Sequence, residues 1–296
     1  MSSKIARQLS DQNKVESTAW LTAYLRTFSD IPFSQEIFTD LEQIRHVANE
    51  PDVPSKIKKS GLAPQLEARF KLIDSLVART KPSQILELAA GLSSRGLSMA
   101  LKDSSIQYSE LDFPGIIEEK RRIFLNLAEN ELPSNLHFNC GNALLAADIE
   151  KASSKFNPEK PLSVINEGLM RYLTFEEKTI LAKNVYELLA KFGGEWITPD
   201  ISLKKILDQE DKIASNHTQI LSNWANRKIK QNLFEDVKQA KSFFEEIGFE
   251  VEQHSFLEVT DQLVSPKRLS ISRDEVCLMN ESPVVFVMTL RTNPKI

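Results

Sequence analysis

Apolar positions recur at helical spacing through the first part of the chain and then give way to short apolar runs set between helical stretches. One helix is expected over about Val15–Phe28, ending before Ile31-Pro32. A second is expected over Ser34–Ala48, stopped by Asn49-Glu-Pro51-Asp-Val-Pro54. A third runs from about Leu62 to Arg79, with Leu66, Phe70, Ile73 and Val77 on one face. No strand-like run interrupts them, so residues 1–80 are expected to form an N-terminal helical cap.

From Pro82 the pattern alternates. Gln84-Ile-Leu-Glu-Leu88 reads as a strand running into Ala89-Ala-Gly91, followed by a helix from about Ser93 to Leu101. Ile106–Leu111 is a second strand, and a helix follows with Ile116, Ile123 and Leu127 on one side. Leu136–Asn139 and Leu162–Ile165 are the third and fourth strands. Thr174-Phe-Glu-Glu177 is a capping-box sequence, opening a helix that carries Leu181, Val185, Leu188 and Phe192 and stops at Gly193-Gly194. Glu195–Thr198 is the fifth strand. A polar helical stretch at about 203–231 is too long for an ordinary connection and is expected to be an insertion. Two further strands follow, Gly248–Val251 and Val284–Leu290. Strand–helix alternation with short connections predicts an α/β fold: a Rossmann-like, seven-stranded, mostly parallel sheet over residues 81–296.

Composition narrows the classes. The 296 residues are 26% charged and 41% hydrophobic with a net charge of −4, which gives no electrostatic case for nucleic acid or an anionic membrane. Cys140 and Cys277 are too few for a zinc cluster or a disulfide framework, so no metal site is expected. The polar N-terminus has no apolar core of a signal peptide and no run of 18 apolar residues occurs, so a cytoplasmic protein is expected.

The first strand–turn–helix junction, Ile85-Leu-Glu-Leu-Ala-Ala-Gly-Leu-Ser-Ser-Arg95, carries the first candidate chemistry. Its small residues let a ligand approach the backbone beside the free N–H groups of the next helix. The glycine fingerprint of dinucleotide binding is not met, since Ala89, Gly91 and Ser94 occupy its three positions. Glu87 would repel a pyrophosphate and attract an ammonium, or be a plain edge carboxylate. Asp112 lies about twenty residues beyond Gly91, the spacing of a ribose-binding acid, and Glu110 on the same side of the strand competes for that role. Arg95 is either a cation at the ligand or a solvated residue. His46, His137, His217 and His254 stand in no diagnostic motif and are expected to be structural or at the surface.

Three motifs, Glu87–Arg95, Tyr108-Ser-Glu-Leu-Asp-Phe-Pro-Gly-Ile-Ile-Glu-Glu-Lys120 and Ile165-Asn-Glu-Gly-Leu-Met-Arg-Tyr-Leu173, occur together in order and spacing. They resemble the leucine carboxyl methyltransferase-like family, in particular its bacterial branch of polyketide-type O-methyltransferases, which are class I S-adenosylmethionine enzymes. The resemblance covers about Leu66 to Arg291. It implies that Ala89 and Gly91 form the cofactor turn and that Asp112 holds the ribose hydroxyls. It implies further that Arg69 pairs with the cofactor carboxylate, that Asn142 and Ala143 lie beside adenine, and that Glu167 lies near the methionine end. Asn142 stands where the family usually has Asp, so an amide would meet the base.

The function implied is O-methylation of a carboxylate or hydroxyl on a small molecule, with Tyr172 facing the substrate. A carboxylate acceptor needs no base, whereas a hydroxyl needs one within hydrogen-bond reach. Two alternatives stand beside it: an NAD(P)-dependent oxidoreductase, disfavoured by the missing glycines and by Glu87, and a non-catalytic S-adenosylmethionine-binding protein.

Overall fold

In the computed structural model, which describes residues 20–48, 62–204 and 229–291, the strands form one seven-stranded sheet. They are β1 (Gln84–Leu88), β2 (Gln107–Asp112), β3 (Leu136–Cys140), β4 (Leu162–Asn166), β5 (Gly194–Thr198), β6 (Phe249–Ser255) and β7 (Val284–Leu290). Their order is β3-β2-β1-β4-β5-β7-β6. The first five are parallel, and β7 runs antiparallel to both β5 and β6. The order reverses between β1 and β4, and in open α/β sheets ligands bind at the carboxyl ends of the strands where this happens. The architecture is the class I methyltransferase sheet expected from the sequence.

The described helices are α1 (residues 20–26), α2 (Ser34–Ala48), α3 (Leu62–Thr80), α4 (Arg95–Lys102), α5 (Pro114–Leu127), α6 (Ala146–Ala152), α7 (Phe175–Phe192), α8 (Val237–Ile247), α9 (Ser265–Leu269) and α10 (Arg273–Asn280). The strand period of two sorts the core into halves. Ile85, Tyr108, Ile165, Ile197 and Val285 face one way, onto Trp20 and Leu25 of α1 and Ile73 and Val77 of α3. Leu86, Leu111, Val164, Trp196 and Phe286 face the other, onto Leu181, Val185 and Leu189 of α7 and Phe244 of α8. Because β1 is buried on both faces, Glu87 is a carboxylate inside the protein, and a buried charge needs a partner.

The Thr174 capping box forms as read: Thr174 Oγ1 accepts from Glu177 N, and Glu177 accepts from Thr174 N. The expected helix at 15–28 begins outside the described residues, and so does most of the insertion at about 203–231. Its return is described. A one-turn 3-10 helix at Ile229–Asn232 leads into a parallel bridge between Leu203 and Phe234. Strand β6 runs four residues beyond the expected end at Val251, and the short helices α6, α9 and α10 carry too few periodic positions to be read from the sequence. Among the described residues no helix is long and apolar enough to cross a membrane.

Candidate active site

The turn after β1 is tied directly to the end of β2. Gly91 N donates to Asp112 Oδ2 at 2.7 Å, and Phe113 N donates to Asp112 Oδ1 at 2.7 Å. Ala89 and Gly91 both have left-handed backbones, with φ of 51° and 50°. Holding Ala89 there costs roughly 1–2 kcal/mol. Burial pushes the Asp112 carboxyl up, and the two N–H donors oppose this. Each oxygen accepts one backbone hydrogen bond and has a second lone pair, so the carboxylate can accept from a further donor.

Glu110 is separated from this role. It is fully buried, 2.6 Å from Lys120 Nζ of α5, and Lys120 Nζ also lies 3.5 Å from Ala90 O. A Cβ at Gly96 would stand 2.3 Å from Glu110 Oε1, so only glycine admits the carboxylate beside α4. Of the two carboxylates left competing by the sequence, Asp112 is the one at the turn.

Glu167, just beyond β4, sits among three guanidinium groups. Arg26 Nη2 of α1 reaches its Oε1 at 2.5 Å, Arg69 of α3 reaches the same oxygen through Nε and Nη2 at 2.9 Å, and Arg95 Nη2 reaches Oε2 at 3.0 Å. These cations hold the carboxyl well below the usual carboxylate range despite its burial. Arg95 is not the solvated residue that was one of the two expectations. It is wholly buried, spans Asp74 Oδ1 at 2.6 Å, Glu87 Oε1 at 2.8 Å and Glu167, and lies over Phe70, with Cζ 4.2 Å from the ring centroid.

Glu87 also differs from expectation. Its second oxygen accepts from Tyr108 OH at 2.7 Å, so both oxygens are taken inside the core. The alternation that buries Ile85 turns Glu87 toward Arg95 rather than outward. The plain edge carboxylate is thereby corrected: Glu87 is buried and anchors Arg95 from inside the core.

Beyond β3, Asn142 Oδ1 accepts from Leu144 N at 2.9 Å and Asn142 N donates to Asp148 Oδ2 at 2.8 Å, while Ala143 is buried next to it. Tyr172 closes a one-turn 3-10 helix, Met170–Tyr172, and is half-buried. Arg69 and Glu167 therefore meet beyond β4, and Gly91 and Asp112 meet beyond β1 and β2, along the carboxyl edge of the parallel strands. Asn142 and Ala143 follow the neighbouring strand. His137 pairs with Gln107 and His254 with Arg79 and Glu258, away from this set; the His46 side chain and His217 lie outside the described residues.

Three residues bonded to this set escaped the sequence reading: Arg26, Asp74 and Asp200, whose carboxylate accepts from Gly168 N. None belongs to a motif, and Arg26 meets Glu167 from the far end of the chain. For Arg26 and Asp74 the available signal is charge on a helix with buried apolar neighbours; Asp200, just past β5, carries none.

The donors suit an amino-acid head group. Glu167 and the guanidinium groups offer opposite charges side by side, and Arg26 Nε is buried with no hydrogen-bond partner among the described residues. Among those residues no cluster of three or more His, Cys, Asp or Glu stands ready for a metal ion.

Comparison with known proteins gives a consistent result. A model of the leucine carboxyl methyltransferase family matches residues 4–186, more than half of the chain. A Mycobacterium tuberculosis protein, provisionally named as an S-adenosyl-L-methionine-dependent methyltransferase, is 28% identical over 166 residues, covering 54% of this chain and 50% of its own. The chain thus spans about half the length of that relative. A provisionally assigned O-methyltransferase of Nostoc punctiforme shares the fold, with a TM-score of 0.50 and 13% identity over 91% of this chain and 72% of its own. Magnesium protoporphyrin IX methyltransferase from Synechocystis, solved with bound SAH, aligns with a TM-score of 0.48 and 10% identity over 86% of this chain and 95% of its own.

Proposed function

The chain belongs to the leucine carboxyl methyltransferase family, a family of S-adenosylmethionine-dependent enzymes, and from that premise we propose that it transfers a methyl group to an oxygen of a small molecule. The observation that carries this reading is the pair of differently equipped clusters at the carboxyl edge of one parallel sheet. The Gly91–Asp112 turn suits ribose hydroxyls, and the Glu167–arginine cluster suits an amino-acid head group. The two match the two ends of S-adenosylmethionine.

In this reading Ala89 and Gly91 leave room for the nucleoside and Asp112 accepts from its hydroxyls. Asn142 and Ala143 border the base. Glu167 answers the ammonium, and Arg69, whose Nη1 makes no hydrogen bond among the described residues, answers the carboxylate. The cofactor supplies an activated methyl on a sulfonium, so the protein's task is alignment more than covalent help. A carboxylate acceptor is favoured over a hydroxyl, because the described histidine side chains are bonded elsewhere and an ionised acceptor needs no base. The described helices before β1 and the return of the insertion would border the acceptor side. Arg26 already reaches Glu167 from α1, and the turn at Ile229–Asn232 packs beside Met170–Tyr172.

A thermal-shift series with S-adenosylmethionine, its demethylated product SAH and NAD(P)H tests the cofactor. A ligand at 100 times its Kd adds about 2.7 kcal/mol of apparent stability. Stabilisation by NAD(P)H alone would overturn the reading. Methyl-labelled cofactor offered with small carboxylic acids and phenols then separates acceptors: a methyl ester releases its label in base, and an aryl methyl ether keeps it.

A further inference from the structure

Glu167 is fixed from two directions, and the residue that controls its backbone belongs to none of the motifs. Asp200 lies just past β5, with its carboxylate buried. Its Oδ1 accepts from Gly168 N at 2.7 Å. Its Oδ2 accepts from Asn166 Nδ2 at 2.7 Å, Leu169 N at 2.7 Å and Met170 N at 3.0 Å. Both chain neighbours of Glu167 are therefore held by one carboxylate. Asn166 is held a second time, since its Oδ1 accepts from Trp196 Nε1 at 2.7 Å. Gly168 has a left-handed φ of 85°, so the chain turns sharply straight after Glu167. Three successive N–H groups at the start of a short 3-10 helix converge on a buried anion, an arrangement that fixes a loop closely.

We propose that Asp200 is the positioning residue for Glu167. It aims that carboxylate at the amino-acid end of the cofactor while touching no ligand itself. The inference rests on the reading of Glu167 given above. In Asp200→Asn the side chain keeps its shape but offers one acceptor oxygen and one donor. At least one of the Gly168, Leu169 and Met170 N–H groups then faces an N–H and the loop shifts.

The test compares two ligands that share adenosine and differ at the amino-acid end: SAH, and 5′-methylthioadenosine, which lacks that end. Asp200→Asn should weaken SAH by about tenfold and 5′-methylthioadenosine by less than about twofold, a selective loss of one hydrogen-bonded charge contact. Glu167→Gln should show the same selectivity, and the double variant should show no more than Glu167→Gln alone, because both changes act on one interaction. A merely structural Asp200 would weaken both ligands equally, or lower only the melting temperature; either result overturns the proposal. If Asp200→Asn does not fold, Trp196→Phe loosens Asn166 from the other side and should give the same selectivity at smaller size, and equal weakening of both ligands there is the negative result. Wild-type protein that binds neither ligand would instead remove the cofactor reading on which the inference stands.

Discussion

Glu110 and Asp112 lie two residues apart on one face of β2, and what packs against each gives it different work. Asp112 meets two backbone N–H groups at the turn, whereas Glu110 meets the Lys120 ammonium under it. Asp112→Ala should cost about 1.5–3 kcal/mol of cofactor affinity by removing a charged acceptor. Glu110→Ala should leave affinity in the folded protein nearly unchanged. It removes the side chain that Lys120 meets in the core and should lower the melting temperature. Binding and melting measured on both variants check the division; a large affinity loss in the Glu110 variant would reverse it. Burial raises the Glu110 carboxyl to about 8, against the opposing pull of Lys120. The folded state then holds a proton that the unfolded chain has already lost. This contribution to stability is full below the ordinary carboxylate range and fades as pH rises through about 8. Glu110→Gln should remove that slope from a melt-versus-pH series.

At the scale of elements, Lys178 joins the start of α7 to the returning insertion. Its buried Nζ donates to Leu173 O and Asn232 O, both at 2.6 Å, beside the rings of Phe175 and Phe234. Burial lowers its pKa to about 8, against the pull of Asp200 and Glu177. Between about 8 and the ordinary lysine range the unfolded chain binds the proton and the folded one does not, so this group adds stability as pH rises across that window. Lys178→Met should abolish that rise. It should also speed hydrogen exchange at Phe234 N and Lys204 N, which hold the bridge at the insertion's base at 3.0 and 2.8 Å. Unchanged exchange would show that the bridge stands without the lysine. What the sequence disclosed follows the same scale. Strand runs, the Thr174 cap and the Gly91–Asp112 spacing were legible because each depends on residues close in the chain or on a fixed spacing between consecutive units. Arg26, Arg95 and Asp200 were not. Arg26 and Asp200 act on partners 141 and about 30 residues away, and the partners of Arg95 lie 8, 21 and 72 away. Only the folded sheet brings such groups together. The Glu87–Arg95 pair was hidden for a related reason: the strand's alternation says which face a residue takes, not that a cation waits there.

For the whole molecule the question is whether the helices before β1 stand apart from the sheet. Trp20, Leu21, Tyr24 and Leu25 of α1 are buried in one cluster with Ile73 and Val77 of α3 and with Ile85, Ile165 and Ile197 of the strands. Burying a large apolar side chain is worth about 1.5–3 kcal/mol, so the four from α1 alone contribute on the order of a whole protein's net stability of 5–15 kcal/mol. The cluster is also wired to the carboxyl edge of the strands, since Arg26 and Arg69 meet on Glu167. The helices and the sheet are therefore expected to unfold together even if the helices serve as a cover over the acceptor. Two tryptophans report the two regions: Trp20 in α1 and Trp196 in β5. Trp224 lies outside the described residues and would be replaced in both variants. Trp20→Phe/Trp224→Phe leaves the sheet reporter, and Trp196→Phe/Trp224→Phe leaves the helical one. Within each variant the fluorescence midpoint should coincide with that of far-ultraviolet circular dichroism, and saturating SAH should raise both together, because coincident probes mark a single cooperative unit. A Trp20 signal that melts early and ignores SAH would mean that the first helices pack on the sheet without sharing its stability, and that Arg26 leaves Glu167 before the fold is lost.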